Sequence, residues 1–281
     1  MADGEHGSLG VSAAPLLPQS FYARDALLVA RDLLGKLLVR DAVALFDQSS
    51  MAKFIVQGRD ACRVLNRLST ADMDVAPGRI VYTQWLNEAG GIEADLTVTR
   101  LAHDRYLVVT SVSSQVHDLA WLAEHIDPAA HCSVTDVTSG LPMLGLMGPA
   151  SRALLAELSG EALGNEAFAF GSSRDIEIGY AVVRASRITY VGELGWELHV
   201  PVEFALTVYD ALMTAGRPHG IANAGYRAIE SLRLEKFYRA WSSDITPDHS
   251  PLEAGMGWAV KLKKNVPVAD IEAMIAADNE W

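Results

Sequence analysis

The sequence predicts an α+β fold with mainly antiparallel sheets and helices packed against them. Short alternating or apolar segments typical of strands are frequent, and turns that contain glycine or charged residues join several of them directly. Helical segments are interspersed among these strands without a regular βαβ repeat, which favours antiparallel sheets. No internal repeat of the solenoid type is visible.

The N-terminal part of the chain differs in composition from the rest. Residues 1–18 are rich in Gly, Ser, Ala and Pro, which predicts a disordered tail. From Ser20 onward, leucines recur at three- and four-residue intervals, which indicates a helix that Gly35 interrupts.

The first block after residue 41 predicts a strand, a helix, an antiparallel meander of three strands and an amphipathic helix. The strands cover 53–58, 79–87, 92–101 and 106–111, and the helices cover 60–69 and 115–126. Gly90 and Gly91 permit the positive φ that a tight turn needs between the first two meander strands.

The second block repeats the mixture of strands and helices. Strands are predicted at 143–148, 175–179, 180–186 and 187–201, and helices at 149–158, 201–215 and 224–241. Pro149 suits the first turn of its helix, and Gly216 suits the end of another.

Charge and cysteine content restrict the function classes. The 281 residues carry a formal net charge of −12, which argues against nucleic-acid partners and against adhesion to anionic lipid. The two cysteines, Cys62 and Cys132, form no C-x-x-C motif, so neither a zinc site nor a disulfide framework is expected. The absence of a long apolar segment and of a basic leader predicts no membrane span and a cytoplasmic protein.

The segment NEAGGIEADLTVTR places a carboxylate near a glycine turn. Strand alternation puts Glu93 and Asp95 on the same face, so Asp95 could reach a ligand that approaches the backbone closely. The alternative is a solvated hairpin face without a function.

The segment TYVGELGWELHVP combines glycines, aromatic rings and carboxylates. A carboxylate beside aromatic rings suits a heteroaromatic ligand, because the rings stack and the carboxylate accepts hydrogen bonds from ring N–H groups. The residues concerned are Tyr190, Glu193, Trp196 and Glu197. The alternative is a strand with a bulge at the glycines and its aromatic residues in the core.

The segment AGYRAIESLRLEK predicts a helix with charges at pairing distance. Arg227 with Glu230, and Glu230 with Arg233, have the spacing of ion pairs on one helix face. An arginine near a helix start could instead bind a ligand carboxylate.

The sequence lacks the common motifs for metal, nucleotide and flavin sites and for a serine nucleophile. The eight histidines, among them His103, His117 and His199, show no metal-ligand spacing, so no metal site is expected. The sequence contains no G-x-S-x-G nucleophile motif and no Walker or G-x-G-x-x-G phosphate loop, so it has no obvious nucleotide or flavin site of its own.

These three segments together resemble the folate-binding aminomethyltransferase family, the glycine-cleavage T-protein. The likeness is closest to the T-protein-like domain of dimethylglycine and sarcosine dehydrogenases. It extends over about 41–260, in the order of the family, through ALFDQSSMAKFIVQG, PGRIVYTQWLNEAGGIEADLTVTRL, VTSGLPMLGLMGPASRALL, NEAFAFGSSRDIEIGY, RITYVGELGWELHVP, AGYRAIESLRLEKFYRAW and PLEAGMGWAV.

The resemblance implies a tetrahydrofolate site. Asp95 matches the key acidic residue of the family near the reacting nitrogens of the pterin, and Glu197 matches the glutamate that hydrogen-bonds the pterin ring. Arg227 matches a folate-contacting arginine at the helix start, and Tyr82 and Tyr190 are neighbours of the ring.

The implied reaction is one-carbon transfer that forms 5,10-methylenetetrahydrofolate. The partners would be a small methylated amine or an aminomethyl carrier, and a separate flavin oxidoreductase subunit that makes the iminium. One alternative is a partner-dependent module that binds folate without an activity of its own.

Both ends of the chain depart from the family pattern. Residues 261–281 diverge, so the predicted fold is a T-protein-like folate-binding domain that lacks the C-terminal barrel domain. Residues 17–40 resemble the opening of 3-methyladenine DNA glycosylases, which makes base-excision repair a further alternative, although the catalytic motif of that family has no counterpart. The predicted division is therefore 1–18, 19–40, 41–260 and 261–281.

Overall fold

A computed structural model describes residues 42–261 together with Val39 and Lys264. The predicted tail at 1–18, the helix predicted from Ser20, and nearly all of 261–281 lie outside the described residues. The predicted boundaries at 18/19 and 40/41 lie outside them as well, so the domain division stays a prediction.

The described chain forms two sheets and five α-helices. The strands are β1 (Ala44–Asp47), β2 (Ala52–Gln57), β3 (Ile80–Leu86), β4 (Ile92–Ala102), β5 (Arg105–Thr110), β6 (Ser133–Asp136), β7 (Met143–Met147), β8 (Ser173–Ile178), β9 (Ala181–Ser186), β10 (Gly195–His199) and β11 (Ala222–Ala224). The helices are α1 (Ala61–Leu68), α2 (Gln115–Glu124), α3 (Ser151–Ser159), α4 (Ala205–Ala215) and α5 (Tyr226–Glu235).

The two sheets are almost entirely antiparallel. The larger sheet has the order β11-β1-β7-β10-β9-β8, and the smaller sheet has the order β3-β4-β5-β2-β6. Among the described strands, only β1 and β11 pair in parallel. The α+β class and the meander β3-β4-β5 predicted from the sequence are therefore confirmed.

Two helices pack against one face of each sheet, and α5 packs against part of the other face of the larger sheet, where Ile229 clusters with Phe46 and Met147. On the larger sheet, Leu146 and Trp196 pack in one buried cluster with Leu154 of α3 and Val208 of α4. On the smaller sheet, apolar residues of β2, β4 and β5 pack with α1 and α2. This second cluster includes Phe54, Leu65, Leu96, Val108 and Leu122.

The other faces of the two sheets meet each other. Met143 of the larger sheet packs in a buried cluster with Ile55, Leu107 and Val109 of the smaller sheet. Because side chains alternate between faces along a strand, residues next to the helix-packed positions must point into the space between the sheets. We call these two faces the inner faces.

Two elements are shorter than the sequence pattern predicts. The strand predicted at 187–201 is regular only at Gly195–His199, and the helix predicted at 224–241 ends at Glu235. Tyr190 lies in the irregular part, where its hydroxyl donates to the carbonyl of Arg239 at 2.7 Å. Phe237 has a φ of 57°, which a helix does not allow, so the chain turns away from α5.

Candidate functional site

Two carboxylates enter the space between the sheets from opposite sides. Asp95 lies on the inner face of β4, and Glu197 lies on the inner face of β10. Both side chains are half-buried. Burial raises the pKa of Asp95 to about 6 and that of Glu197 to about 7, because a charged carboxylate is poorly solvated there.

Asp95 is held by groups that favour its charged form. The Nε2 atom of Gln84, its partner in the β3–β4 register, donates to Oδ1 of Asp95 at 2.9 Å. The hydrogen bond from Gln84 lowers the pKa of Asp95 and so offsets part of the effect of burial. Burial, and next the charge of Asp95, raise the pKa of Tyr82, so this tyrosine is neutral.

Aromatic rings surround Asp95. Tyr82 stacks on Trp258 with ring centroids 5.4 Å apart, and Tyr190 stacks on Tyr238 at 6.1 Å. Burial is the main cause that raises the pKa of Tyr190, and the charge of Asp95 contributes in the same direction. Tyr82 and Tyr190, both predicted from the resemblance, therefore do lie near Asp95.

Residues 236–259 follow α5 and form one wall of this space, which we call the wall segment. It contributes Tyr238 and Trp258, and its Trp241 donates from Nε1 to the carbonyl of Ile92 at 3.0 Å. Its Met256 accepts a hydrogen bond from the hydroxyl of Tyr82 at 3.2 Å. The wall segment therefore contacts the smaller sheet on both sides of Asp95.

A buried arginine anchors the wall segment. Arg233 of α5 is 2% exposed and makes ion pairs with Glu230 on its own helix and with Asp244 of the wall segment. It also donates to the carbonyl of Tyr238 at 3.0 Å. Of the two ion pairs predicted on this helix, the Glu230–Arg233 pair is formed.

Arg227 stands apart from this network. It lies in the first turn of α5 and is exposed, and within the described part of the chain it makes no hydrogen bond or ion pair. The predicted pair with Glu230 is not formed. Its predicted contact with folate stays a prediction.

Few polar groups of the protein interact with Glu197. It accepts no hydrogen bond from the described residues, and the charged group that acts on it is Lys53, which lowers its pKa against the larger effect of burial. Trp196 points to the opposite face of β10 and belongs to the core, as the structural alternative for this segment expects. Glu193 lies 3.7 Å from the ammonium of Lys236.

Several contributors were not found by sequence reasoning. Gln84 and Trp258 act through partners that only strand register or loop packing brings close. The sequence does contain a signal that could have identified Lys53, because this charged residue lies inside the mostly apolar strand AKFIVQ. A charge at such a position must find a partner or a function inside the protein.

The described residues show neither a metal-binding cluster nor a membrane-spanning helix. They contain no group of three or more His, Cys, Asp or Glu side chains arranged to hold a metal ion. None of their helices is long and apolar enough to cross a membrane.

The chain is similar to several known proteins. Human mitochondrial sarcosine dehydrogenase is 42% identical over 252 residues, which cover 85% of this chain and 28% of that protein. An aminomethyltransferase of Chlorobium chlorochromatii (strain CaD3) is 37% identical over 231 residues, which cover 80% of this chain and 62% of that protein. The chain therefore spans less than two thirds of either relative.

A solved structure agrees with these sequence relatives. The glycine cleavage system aminomethyltransferase T from Bartonella henselae matches with a TM-score of 0.78 and 30% identity, over 89% of this chain and 66% of that one. The comparisons give no support to the glycosylase alternative. The model of the family described as GCVT N-terminal domain matches residues 21–264, and the chain belongs to this family.

Proposed function

We propose that this chain binds tetrahydrofolate between its two sheets and transfers a one-carbon unit to it, forming 5,10-methylenetetrahydrofolate. The observation that carries the proposal is the pair of carboxylates, Asp95 and Glu197, which face a shared aromatic-lined space with raised pKa values. Membership of the GCVT family and similarity to aminomethyltransferases support it.

The residues present fit a pterin ring. Glu197 accepts no hydrogen bond from the described residues, so its oxygens are free to accept from the adjacent N–H groups that a pterin offers. Tyr82, Tyr190, Tyr238 and Trp258 offer aromatic surface for a flat ring. We expect Arg227 to contact the carboxylate-bearing end of the ligand.

Asp95 has the properties that the transfer needs. When bound, tetrahydrofolate supplies the two nucleophilic nitrogens, N5 and N10, that accept the carbon. Asp95, with a pKa of about 6, is mostly ionised at pH 7 and stabilises a cationic aminomethyl or iminium donor. Since this pKa lies near neutrality, its carboxylate can also accept a proton from a reacting nitrogen and pass it to the departing amine.

The donor is a small methylated amine, after its oxidation, or an aminomethyl carrier. Forming an iminium from an amine requires a redox group, so we propose a separate flavin oxidoreductase subunit as the partner. Similarity to a sarcosine dehydrogenase supports this class of donor. The net charge of −12 supports a small-molecule substrate rather than a nucleic acid, and the cytoplasm is the proposed location.

The test measures binding and transfer separately. Calorimetry gives the dissociation constant of tetrahydrofolate for the wild type, for Asp95→Asn and for Glu197→Gln. Transfer is followed as 5,10-methylenetetrahydrofolate formed from the iminium that formaldehyde makes with glycine, after subtraction of the uncatalysed reaction. Both N–H protons of tetrahydrofolate end on the released glycine, so the reaction is balanced without an oxidant.

We expect Glu197→Gln to weaken binding and Asp95→Asn to retain binding while transfer falls by about 100-fold or more. Binding by the wild type without any transfer would establish the alternative of a folate-binding module that needs a partner. Absence of binding by the folded wild type would refute the proposal.

A further inference from the structure

A patch of polar side chains surrounds Glu197 on the inner faces. Glu197 pairs in register with Gly145 of β7, and the side chain of Gln48 covers that glycine. A Cβ atom at Gly145 would lie 2.3 Å from Oε1 of Gln48, so the absence of a side chain there makes room for the amide. His199, two residues along β10, lies on the same face as Glu197.

This patch leaves buried hydrogen-bonding atoms without partners. Oε1 of Gln48 and Nδ1 of His199 have no hydrogen-bond partner among the described residues, and His199 is 1% exposed. Burial and the charges of Lys53 and Arg184 lower the pKa of His199 to about 3, so the imidazole is neutral. Unpaired buried polar atoms are rare because each one destabilises a fold by about 1–3 kcal/mol, so two beside one carboxylate call for an explanation.

Lys53 completes the patch from the opposite sheet. Its side chain is fully buried, and it pairs in register with Val109, which packs with Met143 across the space between the sheets. Its Nζ donates to the carbonyls of Ser49 and Met51 at 3.1 and 2.5 Å. An ammonium has three N–H groups, and no described residue accepts the third.

Strand register places Lys53 and Glu197 on the two inner faces, and their charges interact. Burial lowers the pKa of Lys53 to about 8, and the charge of Glu197 is the largest of the opposing effects, followed by those of Asp136 and Asp47. Lys53 therefore remains protonated at pH 7. The patch offers two neighbouring acceptors, from Glu197 and Gln48, and one donor, from Lys53.

We propose that Lys53 and Gln48 join Glu197 in recognising the 2-amino-4-oxo edge of the pterin ring, with the Lys53 ammonium as the donor to the 4-oxo group. That edge carries two adjacent N–H donors and one carbonyl acceptor, which is the complement of the patch. Lys53 then makes the site select a 4-oxo ring over a 4-amino ring, because a 4-amino group has no strong acceptor for the ammonium and places N–H groups against it. This inference rests on the proposed function.

A role in ligand binding and a purely structural role for Lys53 predict opposite effects of its replacement on the stability of the protein. Replacing a buried ammonium that makes no ion pair with the described residues by a methionine of similar length removes its desolvation penalty, so Lys53→Met should unfold at the same temperature as the wild type or higher. If Lys53 served only to fix the turn between β1 and β2 through its two carbonyl contacts, the same change would lower the unfolding temperature.

The experiment compares tetrahydrofolate with its 4-amino analogue. Calorimetry measures the dissociation constants of both compounds for the wild type, for Lys53→Met, and for Lys261→Met, a matched change at an exposed lysine. We expect the wild type and Lys261→Met to prefer the 4-oxo compound by at least tenfold. We expect Lys53→Met to bind tetrahydrofolate about 10- to 100-fold more weakly and to reduce the preference by a similar factor, while the part of the preference that comes from the N3–H donor of the 4-oxo ring remains.

A second variant keeps the test decisive. Gln48→Met removes an acceptor and leaves the donor, so it should weaken the binding of both compounds while the 4-oxo preference remains. A wild type that binds neither compound refutes the proposed function and this inference together. If the wild type binds tetrahydrofolate and both variants bind it equally well, the inference alone is overturned. A Lys53→Met protein that does not fold also overturns it.

Discussion

Gln84 and Asp95 face each other in register on neighbouring strands and share a hydrogen bond of 2.9 Å. The amide of Gln84 can donate to Asp95 only if strands β3 and β4 keep this register. A donor to the charged form of a carboxylate lowers its pKa, so Gln84 keeps Asp95 ionised closer to neutral pH than burial alone would allow. The β3–β4 register therefore sets an electrostatic property of the site.

Replacing Gln84 should shift the pH dependence of transfer. In the wild type, kcat/KM should rise with pH through about 6, as Asp95 loses its proton. Gln84→Leu removes the donor, so the midpoint should move to higher pH, on the order of one unit. The pH profile of methylene transfer measures this, with Gln57→Leu at an exposed position as the control. An unchanged midpoint would show that another group controls the profile.

Neutralising the site carboxylates should stabilise the protein at neutral pH. Burial raises the pKa of Asp95 from 3.8 to about 6 and that of Glu197 from 4.5 to about 7. The folded state therefore binds more protons than the unfolded state between these values, and stability falls as the pH rises through that window. Asp95→Asn and Glu197→Gln should each raise the free energy of unfolding at pH 7.5 by about 1–2 kcal/mol.

Urea unfolding at two pH values tests this stabilisation. Near pH 3.5 both carboxyls are protonated in the folded and unfolded states, so the gain should vanish there. A gain of the same size at both pH values would mean that the charge is not its cause.

Two arginines of α5 should have separable roles. Arg233 is buried between two carboxylates, so Arg233→Ala should reduce the free energy of unfolding by about 2–4 kcal/mol. Arg227 is exposed, so Arg227→Ala should leave stability within about 0.5 kcal/mol and should weaken tetrahydrofolate binding if its predicted contact exists. Thermal unfolding and calorimetry on both variants separate the effects. Equal losses of stability in the two variants would contradict this assignment.

A methyl group at Gly145 should disturb binding more than folding. The atom nearest to the added Cβ is the end of the flexible Gln48 side chain, which can rotate away at little cost. Gly145→Ala should therefore keep the unfolding temperature within a few degrees and weaken tetrahydrofolate binding several-fold. Gly140→Ala is the control, since a Cβ there meets no atom within 4 Å. Unchanged binding by Gly145→Ala would exclude Gln48 from ligand contact.

Local patterns in the sequence predict much of the fold. The meander β3-β4-β5 and helix α1 depend on alternation, helical spacing and turn residues within short windows, and all four elements occur within a few residues of their predicted limits. The strand predicted at 187–201 fails over its first half, where Tyr190 makes a tertiary contact with Arg239. Alternating apolar residues therefore did not indicate a paired strand there.

The site was only partly predictable, for a physical reason. Asp95, Tyr82 and Tyr190 do lie together, which strand alternation and the family resemblance made foreseeable. Lys53 lies 144 positions before Glu197 in the chain, and only the packing of the two sheets brings their charges close enough to interact. A single sequence holds no signal for which strands of separate sheets face each other.

Because one of the two carboxylates lies on each sheet, a bound ligand would connect the two sheets. A molecule held by Asp95 and Glu197 at once would add a crosslink between two halves that also meet through the apolar cluster around Met143 and through backbone hydrogen bonds such as that of Ser173 with Gly78. Its binding free energy would then add to the cohesion between the halves, and amide hydrogens in β4 and β10 would exchange more slowly in its presence.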